Sequence, residues 1–581
     1  MITLNTQDNA SLAGGIASYW HEWNSQRVPA LSLWEEIDRY ITATDTTNLE
    51  GGKHFDHKTH IPVTSELYED LVAIVYSTLF PHEDWMGWKG FNIDAITKAV
   101  RTKVLGYIKE AHMLNGFDVT FSKIVEDLCR YGNCFVQATY VDETVLTEEN
   151  IEAGYSGPKP VRISPYDIVF NPTAKEFAKT PKIVRSVITL SEFIDLYEQI
   201  GAQGALDEKE YERILSNRTA GQNDYSERYK EAQYVPEGFG SIQNYFMSGY
   251  VELLWFYGDI LDGTEVRRNR CVIVADRDLV VLDKEELHPN IFKGGWSDRP
   301  DNLWSQGPLD KVVGINYMIN HRENGKNDAI DKFIHPDRAF VGDVEEIYDE
   351  DTGQTKYLLP EGGSVSDIRP DSTVLTFDNQ IIMHREMARQ SARLPQQLSG
   401  FRTAGEKTAT EVQSLNDGAF RGFINKAAQL ERTLLEPFLR AEIKIAKDNF
   451  SSIIKILGED EEGILLTSEI TEEDLSAKGK LIPFGSRRFA RQLQQQQGVM
   501  QIANTNLAGL IGQHLNTYNL AKTVETLFGF DQFEMVQKLA AIDEQLEAQE
   551  KQMMAEQQAV MQSSQPTSLE MQMEDQYEEP I

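Results

Sequence analysis

The sequence predicts a mainly helical protein that also contains α+β regions. Apolar residues recur at helical spacing through several long stretches, and short runs rich in β-branched residues stand between turn residues. Hydrophobic residues make up 41% of the chain and charged residues 25%, which is typical of globular proteins and argues against general disorder. At about 150 residues per unit, a chain of 581 residues suggests roughly four structural units.

The charge balance is strongly acidic. The chain has 91 Asp and Glu residues against 56 Lys and Arg, a formal net charge of -35. A protein that holds nucleic acid by its phosphates normally presents a basic surface, so this balance argues against a sequence-specific DNA binder. An acidic wall does suit a conduit, in which DNA must slide past without sticking.

Targeting and cysteine signals are weak. The first twenty residues lack the basic segment and apolar run of a secretory signal, and no stretch approaches the length needed to span a bilayer. We therefore expect synthesis and folding in a host cytoplasm. Cys129, Cys134 and Cys271 include no CxxC pair, which argues against a disulfide framework or a zinc site and predicts buried thiols.

Residues 1–306 read as helices followed by an α+β region. Helical spacing predicts a helix over 65–80, an aromatic turn with Trp85, Trp88 and Phe91 follows, and a helix around 121–131 should stop at Gly132. Residues 213–248 are polar and suggest a long surface excursion. The predicted strands lie at 134–141, 167–170, 183–189, 251–257 and 271–275.

For the next part of the chain, the sequence predicts two helices separated by a small β insertion. Pro308 can begin a helix that runs to about residue 332, roughly 37 Å long. Pro336 ends it, and strands at 339–341, 346–348 and 356–359 follow, the last two flanking a hairpin turn with Asp351 and Gly353. A second helix is predicted over 379–394, where Pro395 stops it.

A third and longer helix begins at a capping box formed by Thr408 and Glu411. Its apolar spacing continues for about forty residues, or roughly 60 Å, and Pro437 should kink it. An acidic patch over 459–473 and a strand over 480–484 come next. Helical, Gln-rich sequence then reaches about residue 562, and the acidic segment 563–581 is predicted to be disordered.

Two motifs resemble functional sites but depart from them. In the segment 400–408, Glu406 intrudes between Gly405 and Lys407, so the phosphate-binding pattern GxxxxGK followed by Ser or Thr is broken. An NTPase using Lys407 and Thr408 stays as the rival hypothesis from another class. Asp349 and Asp351 suggest a calcium loop, but Gln354 occupies its glycine position, which favours a hairpin tip.

Histidine and arginine clusters leave alternatives open. One alternative is that His54, His57 and His60 bind a metal ion, but the polar residues around them favour a solvated loop. Helical spacing places three arginines on one face of the second helix. They could contact phosphate inside a channel or form ion pairs with acids of a neighbouring helix. A second arginine cluster has the same two interpretations. These arginines are Arg385, Arg389 and Arg393, then Arg487, Arg488 and Arg491. No catalytic triad, paired carboxylates or dinucleotide fingerprint is present in the sequence, so we predict no catalytic residue, metal or cofactor.

This order of elements resembles the portal protein family of tailed bacteriophages over about residues 60 to 500, and the short-tailed phages are the more similar type. No single motif carries the resemblance, but the ordered set is specific. The segments that carry it are Arg393-Leu-Pro-Gln-Gln-Leu-Ser-Gly400, Glu406-Lys-Thr-Ala-Thr-Glu-Val412, Leu434-Leu-Glu-Pro437, Tyr131-Gly-Asn133, Ser164-Pro-Tyr-Asp167 and Trp304-Ser-Gln-Gly-Pro308.

The resemblance implies a portal fold with wing, stem, clip and crown. It assigns residues 1–306 and 408–486 to N-terminal helices and wing, 307–334 and 379–394 to the stem, 335–378 to the clip, and 487–562 to the crown. The stem arginines would line the DNA channel. Residues 395–407 would be the tunnel loop, in which glycines allow movement; its predicted residues are Pro395, Gly400, Phe401, Arg402 and Gly405.

The same resemblance implies a non-enzymatic virion protein at the capsid portal vertex. It would form a dodecameric ring, nucleate capsid assembly with major capsid and scaffolding proteins, and dock the terminase large subunit and later the tail adaptor proteins. Double-stranded DNA would pass through the ring without sequence specificity during packaging and ejection. Another structural virion component, such as a tail or minor capsid protein, is the second rival.

Overall fold

The protein is a mixed α/β chain, about half helical and one third strand. Strands therefore account for more of it than a mainly helical description implies. The structure is a computed structural model, and it divides the chain into two compact units, Met1–Arg487 and Arg488–Ile581. It describes residues 2–4, 9–42, 55–81, 85–91, 97–146, 151–201, 250–263, 265–275, 277, 279–286, 289–349, 354–370, 377–394, 422–449, 454–459, 465–476 and 478–487.

Several predictions concern residues outside that description. They are the 213–248 excursion, His54, the hairpin turn with Asp351 and Gly353, and the whole predicted tunnel loop. The capping box of the third helix, most of the second basic cluster, and the crown and acidic tail also lie there. These remain predictions from the sequence.

The N-terminal part begins with a short strand and three helices. Strand β1 (Ile2–Thr3) precedes α1 (Asn9–Gln26), α2 (Val28–Ile41) and α3 (Val63–Leu79). Helix α1 buries one face, including Ile16 and Trp20, in a cluster with β-sheet residues such as Phe256. The helix predicted over 65–80 is thus confirmed as α3.

A strand replaces the predicted aromatic turn. Trp88 lies in β2 (Met86–Gly90), which pairs antiparallel with a strand near the end of the first unit, Leu481 opposite Trp88. The turn prediction is wrong at this position because the pairing partner lies far along the sequence, so that local spacing carries no sign of it.

Two helices with glycine ends follow. Helix α4 (Lys98–Asn115) ends at Gly116 and α5 (Phe117–Tyr131) ends at Gly132, both glycines having left-handed backbone conformations. A left-handed residue after the last helical turn is the usual helix stop, and glycine adopts it without steric cost. The predicted end of a helix at Gly132 is confirmed.

The α+β region contains two antiparallel sheets. In one, β3 (Asn133–Leu146) pairs with β4 (Ile151–Ile163) and with β10 (Ile291–Gly295). The strands of the other sheet are β5 (Ile168–Phe170), β6 (Lys182–Thr189), β7 (Tyr250–Asp262), β8 (Glu265–Ala275) and β9 (Leu279–Glu285), with α6 (Leu190–Gly201) after β6. They are hydrogen-bonded in the order β5-β6-β7-β8-β9, and β1 is parallel to the end of β7. All five predicted strands are present, most of them longer than predicted.

A small hairpin leads out of the sheets into a helix–β–helix segment. It is formed by β11 (Ser297–Arg299) and β12 (Asn302–Gln306). Helix α7 (Val312–Ile334) then begins four residues after Pro308, which corrects the predicted start. The reason is a turn in which the Asp310 carboxylate accepts the Gly307 N–H at 2.9 Å and the Leu309 carbonyl accepts the Val312 N–H at 2.8 Å.

Four strands form the β insertion between the helices. The predicted hairpin is confirmed as β14 (Glu345–Asp349) paired with β15 (Gln354–Leu358), Glu345 facing Leu358. Strand β13 (Asp337–Val341) pairs with β16 (Ser364–Ile368), a strand that the sequence did not predict. We call residues Asp337–Ile368 the β unit.

The second helix, α8 (Phe377–Ser391), ends before Pro395 and corrects the predicted end. Arg393 has φ 61°, the Leu394 N–H donates to the Arg389 carbonyl at 2.8 Å, and the Arg393 N–H donates to the Gln390 carbonyl at 3.0 Å. These paired bonds around a left-handed residue form a Schellman stop. The backbone therefore closes the helix without help from proline.

The third helix is described from residue 422. Residues 422–430 form α9, Glu431–Leu435 make a π-helical turn, and α10 (Glu436–Asp448) follows. One wide turn thus lies immediately before Pro437, where the sequence predicts a kink, and such turns are a common cause of helix distortion. The chain then forms β17 (Ile454–Glu459), β18 (Leu465–Ile470), α11 (Glu472–Leu475) and β19 (Gly479–Pro483), the partner of β2.

One large apolar core joins the α-helices to the smaller sheet. It includes Leu71, Phe121, Ile319, Ala388 and Phe438, which come from α3, α5, α7, α8 and α10. The three cysteines are buried free thiols, as predicted. No described helix is both long and apolar enough to cross a bilayer.

Candidate assembly and channel surface

Helices α7 and α8 form an antiparallel pair that carries the β unit. With Nδ1 protonated, His384 donates to the Gln380 carbonyl at 2.5 Å, and its Nε2 accepts from the Arg322 guanidinium at 3.1 Å. The Lys326 ammonium binds the Asp378 carboxylate at 2.8 Å. Because the later α7 residue pairs with the earlier α8 residue, the two helices run in opposite directions and both lead to the β unit.

The predicted arginine face is only partly helical. Arg385 is exposed and Arg389 half-buried on α8, whereas Arg393 lies in the Schellman stop beyond the last helical residue. The proposed alternative was ion pairing with acids of a neighbouring helix. Within the described part of the chain, no carboxylate pairs with Arg385 or Arg393.

Positive charge accumulates where α8 ends. Lys426 on α9 donates to the Trp296 carbonyl, and its pKa is lowered by burial and by the nearby charge of Arg393. The charge of Asp298 opposes this lowering only in part, so the two neighbouring cations form a local basic patch in an acidic protein. Arg393 stands directly before the predicted tunnel loop in the sequence, and Lys426 follows that loop.

The β unit has no core of its own. No residue with a described side chain between Asp337 and Ile368 is buried. Large apolar side chains stay exposed: Val341 at 61%, Tyr348 at 65%, Leu358 at 58% and Ile368 at 58%. Two-stranded ladders are marginal in water unless they pack against something else. The unit therefore presents apolar side chains and open strand edges outward.

Apolar exposure continues on the two helices that carry the unit. Met318 and Phe333 on α7 and Ile382, Met383 and Met387 on α8 are between 42% and 63% exposed. Exposed apolar side chains grouped in this way are typical of protein interfaces.

Of the second basic cluster, only Arg487 is described, and it is exposed. The Ser486 N–H donates to the Glu431 carboxylate at 2.6 Å, and Arg487 lies near the same carboxylate. Burial raises the pKa of Glu431, while the Ser486 hydrogen bond and the charge of Arg487 oppose that rise. The charge of Arg487 acts on this acid without forming an ion pair with it, so phosphate contact and ion pairing both remain predictions for this cluster.

The histidine segment is a loop with Asp56, Lys58 and Thr59 exposed, as predicted, but it is also bound along a helix, which the sequence did not predict. Residues 55–62, here called the strap, lie along α7, and alternate backbone N–H groups from His57 to Ile61 bind side chains of that helix, as does the N–H of Thr64 at the start of α3. No group of three or more metal-ligating side chains occurs among the described residues. The bonds run from Thr64 to Asn316 (2.9 Å), Ile61 to Asn320 (3.0 Å), Thr59 to Asn324 (2.8 Å) and His57 to Asp328 (2.9 Å).

Sequence reasoning missed these helix residues, although a signal was present. Asn316, Asn320, Asn324 and Asp328 recur every four residues and so share one face of α7. The three asparagines are nevertheless buried. A buried polar stripe of this kind needs hydrogen-bond partners, and the backbone of an unpaired segment supplies them.

The segments that carry the family resemblance in the N-terminal part meet in space. Asn133 binds the backbone of Ser305, and Gly132 lies against Gly307. The hydroxyls of Tyr131 and Tyr166 both donate to Asp38, at 3.0 Å each. These contacts lie inside the protein, so they support the fold and offer no reacting group to a substrate.

No protein-family model matches the sequence, and no curated protein matches it significantly.

Proposed function

We propose that this chain is a portal protein, one subunit of the ring through which double-stranded DNA enters and leaves a phage capsid. The ring nucleates capsid assembly, docks the ATP-driven terminase and later binds tail adaptors, and the chain itself is not an enzyme. The proposal rests on the resemblance of the ordered sequence segments. The structural observation that carries it is the antiparallel α7–α8 pair tipped by a β unit in which none of the described side chains is buried.

A β unit without a core of its own is stabilised only by packing against another surface. Its apolar side chains gain burial only if another surface covers them, and copies of the same chain are always present at assembly. In a closed ring, each copy offers one face to the preceding copy and another to the next. The twelve-fold ring implied by the resemblance would surround every β unit with two others.

Charge supports a channel that binds DNA weakly. The net charge of -35 repels phosphate, while Arg385, Arg393 and Lys426 provide local positive charge near the end of α8. Such a balance centres a moving polyanion without holding it. It also fits binding that depends on the DNA backbone and not on its sequence.

Electron-microscopic class averaging of the purified chain tests the proposal. We expect end-on views of rings with a central hole and about twelve-fold symmetry, as the family resemblance implies. Six-fold rings would favour a tail component instead. Monomers that persist at high concentration, together with magnesium-dependent ATP hydrolysis lost in Lys407→Ala, would contradict the proposal and favour the NTPase.

The channel role of the arginines has its own test. In particles assembled with Arg385→Ala, Arg389→Ala and Arg393→Ala together, we expect altered genome packing or retention while rings still form. The matched control replaces three exposed arginines that lie outside the helix pair, Arg268, Arg299 and Arg440. Normal packaging and retention in the first triple variant would refute the channel role.

A further inference from the structure

The strap is fixed at one end by a histidine held between two carboxylates. His57 Nδ1 lies 2.8 Å from Asp328 Oδ1, and its Nε2 lies 3.3 Å from Asp331 Oδ2. A neutral imidazole has only one N–H, so both ring nitrogens can donate only when the ring is protonated. The geometry therefore matches the imidazolium form.

The charges around this ring all act in the same direction. Asp328 and Asp331 face it from α7, and Asp56 stands beside it on the strap. The hydrogen bond to Asp328 and the charges of the three carboxylates raise the pKa of His57 above its ordinary value, against a smaller opposing effect of burial. Burial raises the pKa of Asp328, but its hydrogen bonds from His57 and Asp56 outweigh that and leave it lowered.

We propose that His57 makes the strap a pH-dependent latch on the last two turns of α7. When His57 is protonated, its two ring N–H groups tie the strap to Asp328 and Asp331. When it loses the proton, one of these contacts is lost, and the end of the strap nearest His57 is held less tightly, by its remaining bonds to Asp328. This inference goes beyond the proposed function and does not depend on it.

The latch lies at the end of α7 that leads to the β unit. Asp331 lies in the last turn of α7, where its carbonyl accepts the His335 N–H at 2.7 Å. The β unit begins two residues later, at Asp337. Loss of the Asp331 contact would therefore loosen the strap at the helix end that leads to the β unit.

The sign of the pH dependence follows from the raised pKa. The contribution of the latch is fully present below about pH 6.5, the ordinary pKa of histidine, and is lost as the pH rises through the higher pKa of the folded protein. Strap protection should therefore fall towards alkaline pH.

Hydrogen exchange of the full chain, followed by mass spectrometry and normalised to intrinsic rates, tests the latch. Between pH 5.5 and 8.5, we expect protection of the peptide covering residues 55–62 to fall about two- to fivefold, the range for one exposed ion pair. His57→Gln should remove this dependence, and Asp331→Asn should move it to lower pH. His21→Gln, an exposed histidine on α1, is the matched control and should behave as the wild type.

Peptides from β7 and β8 report on global unfolding and should keep their protection throughout. Strap protection that does not change with pH in the wild type would overturn the proposal. So would an identical pH dependence in His57→Gln, because the titrating group would then lie elsewhere.

Discussion

The side chain of Asn133 pairs with the backbone of Ser305 like a neighbouring strand. Its Oδ1 accepts the Ser305 N–H at 2.9 Å, and its Nδ2 donates to the Ser305 carbonyl at 3.0 Å and to the Tyr131 carbonyl at 3.0 Å. Asn133 is fully buried, so water cannot replace these bonds. One carboxamide thus joins the start of β3 to β12.

Asn133→Ala should therefore destabilise the protein by about 2–4 kcal/mol, because it leaves buried backbone groups without partners. Denaturant unfolding followed by tryptophan fluorescence measures this, since Trp304 lies in the same region. Asn171→Ala is the control, because Asn171 is exposed and bonds only locally to Thr173. Equal effects of the two substitutions would contradict the role given to Asn133.

Gly132 and Gly116 have nearly the same backbone conformation in different surroundings. Gly116→Ala should cost about 1–2 kcal/mol, the penalty of a left-handed residue with a Cβ, because nothing lies near that position. In Gly132→Ala the added Cβ would stand 2.5 Å from the Gly307 Cα, so we expect a larger loss or no folded protein. Thermal unfolding of both variants checks the order.

Glycine substitution should have opposite effects at two arginines of the α8 region. Arg393→Gly should stabilise the protein by about 0.5–1 kcal/mol, because Arg393 has φ 61°, which glycine adopts without strain. Arg385→Gly should destabilise it by about 1 kcal/mol, because glycine is unfavourable inside a helix. Unfolding midpoints of the two variants that shift in the same direction would disprove the assigned end of α8.

Asp38 predicts a specific pH dependence of stability. Burial raises its pKa to about 6, against the charge of Arg130 and the hydroxyls of Tyr131 and Tyr166. The folded protein then holds a proton that the unfolded chain releases near its ordinary pKa, so stability falls as pH rises from about 4 to about 6. The expected loss is about 2–3 kcal/mol. The difference in unfolding free energy between the wild type and Asp38→Asn should show it, with exposed Asp118→Asn as control.

The β unit gives a prediction about assembly. Leu358→Glu and Ile368→Glu should leave the monomer fold unchanged, because both side chains are 58% exposed, yet prevent ring formation by placing charge in the proposed contact. Sedimentation and circular dichroism together separate these two effects. Val266→Glu, at a residue 40% exposed on β8, should assemble normally. Rings formed by the β-unit variants would remove this surface from the interface.

The sequence predicted those elements whose causes are local. The helix before Gly132 and the hairpin of β14 and β15 follow from the spacing of apolar residues and from turn residues, and both are present. The strand β2 could not be predicted in this way, since its partner β19 is distant in the chain. Likewise β16 is recognisable only beside β13.

The candidate site was predictable in part for the same reason. Spacing placed Arg385 and Arg389 together on a helix, and they are. The spacing also placed Arg393 on this helix, because Pro395 was the only helix-ending residue that the sequence indicated. In the structure the helix ends earlier, through the left-handed backbone conformation of Arg393. The docking of the strap on α7 joins two segments whose pairing depends on the tertiary fold, so the histidines appeared to be solvated.

The hydrogen-bonding groups of the strap stay aligned with those of α7 because the repeat of an extended chain and the repeat of a helix face have similar lengths. Two residues of extended chain advance about 6.6–6.8 Å, and four residues of α-helix advance about 6.0 Å. Contacts at His57, Thr59 and Ile61 can therefore match every fourth residue of the helix with little drift. Adding one residue between His57 and Ile61 would turn alternate N–H groups away from the helix. An insertion is tolerated only in pairs, so the geometry of α7 restricts the length of a segment more than 250 residues before it, as the separation of 259 between Ile61 and Asn320 shows.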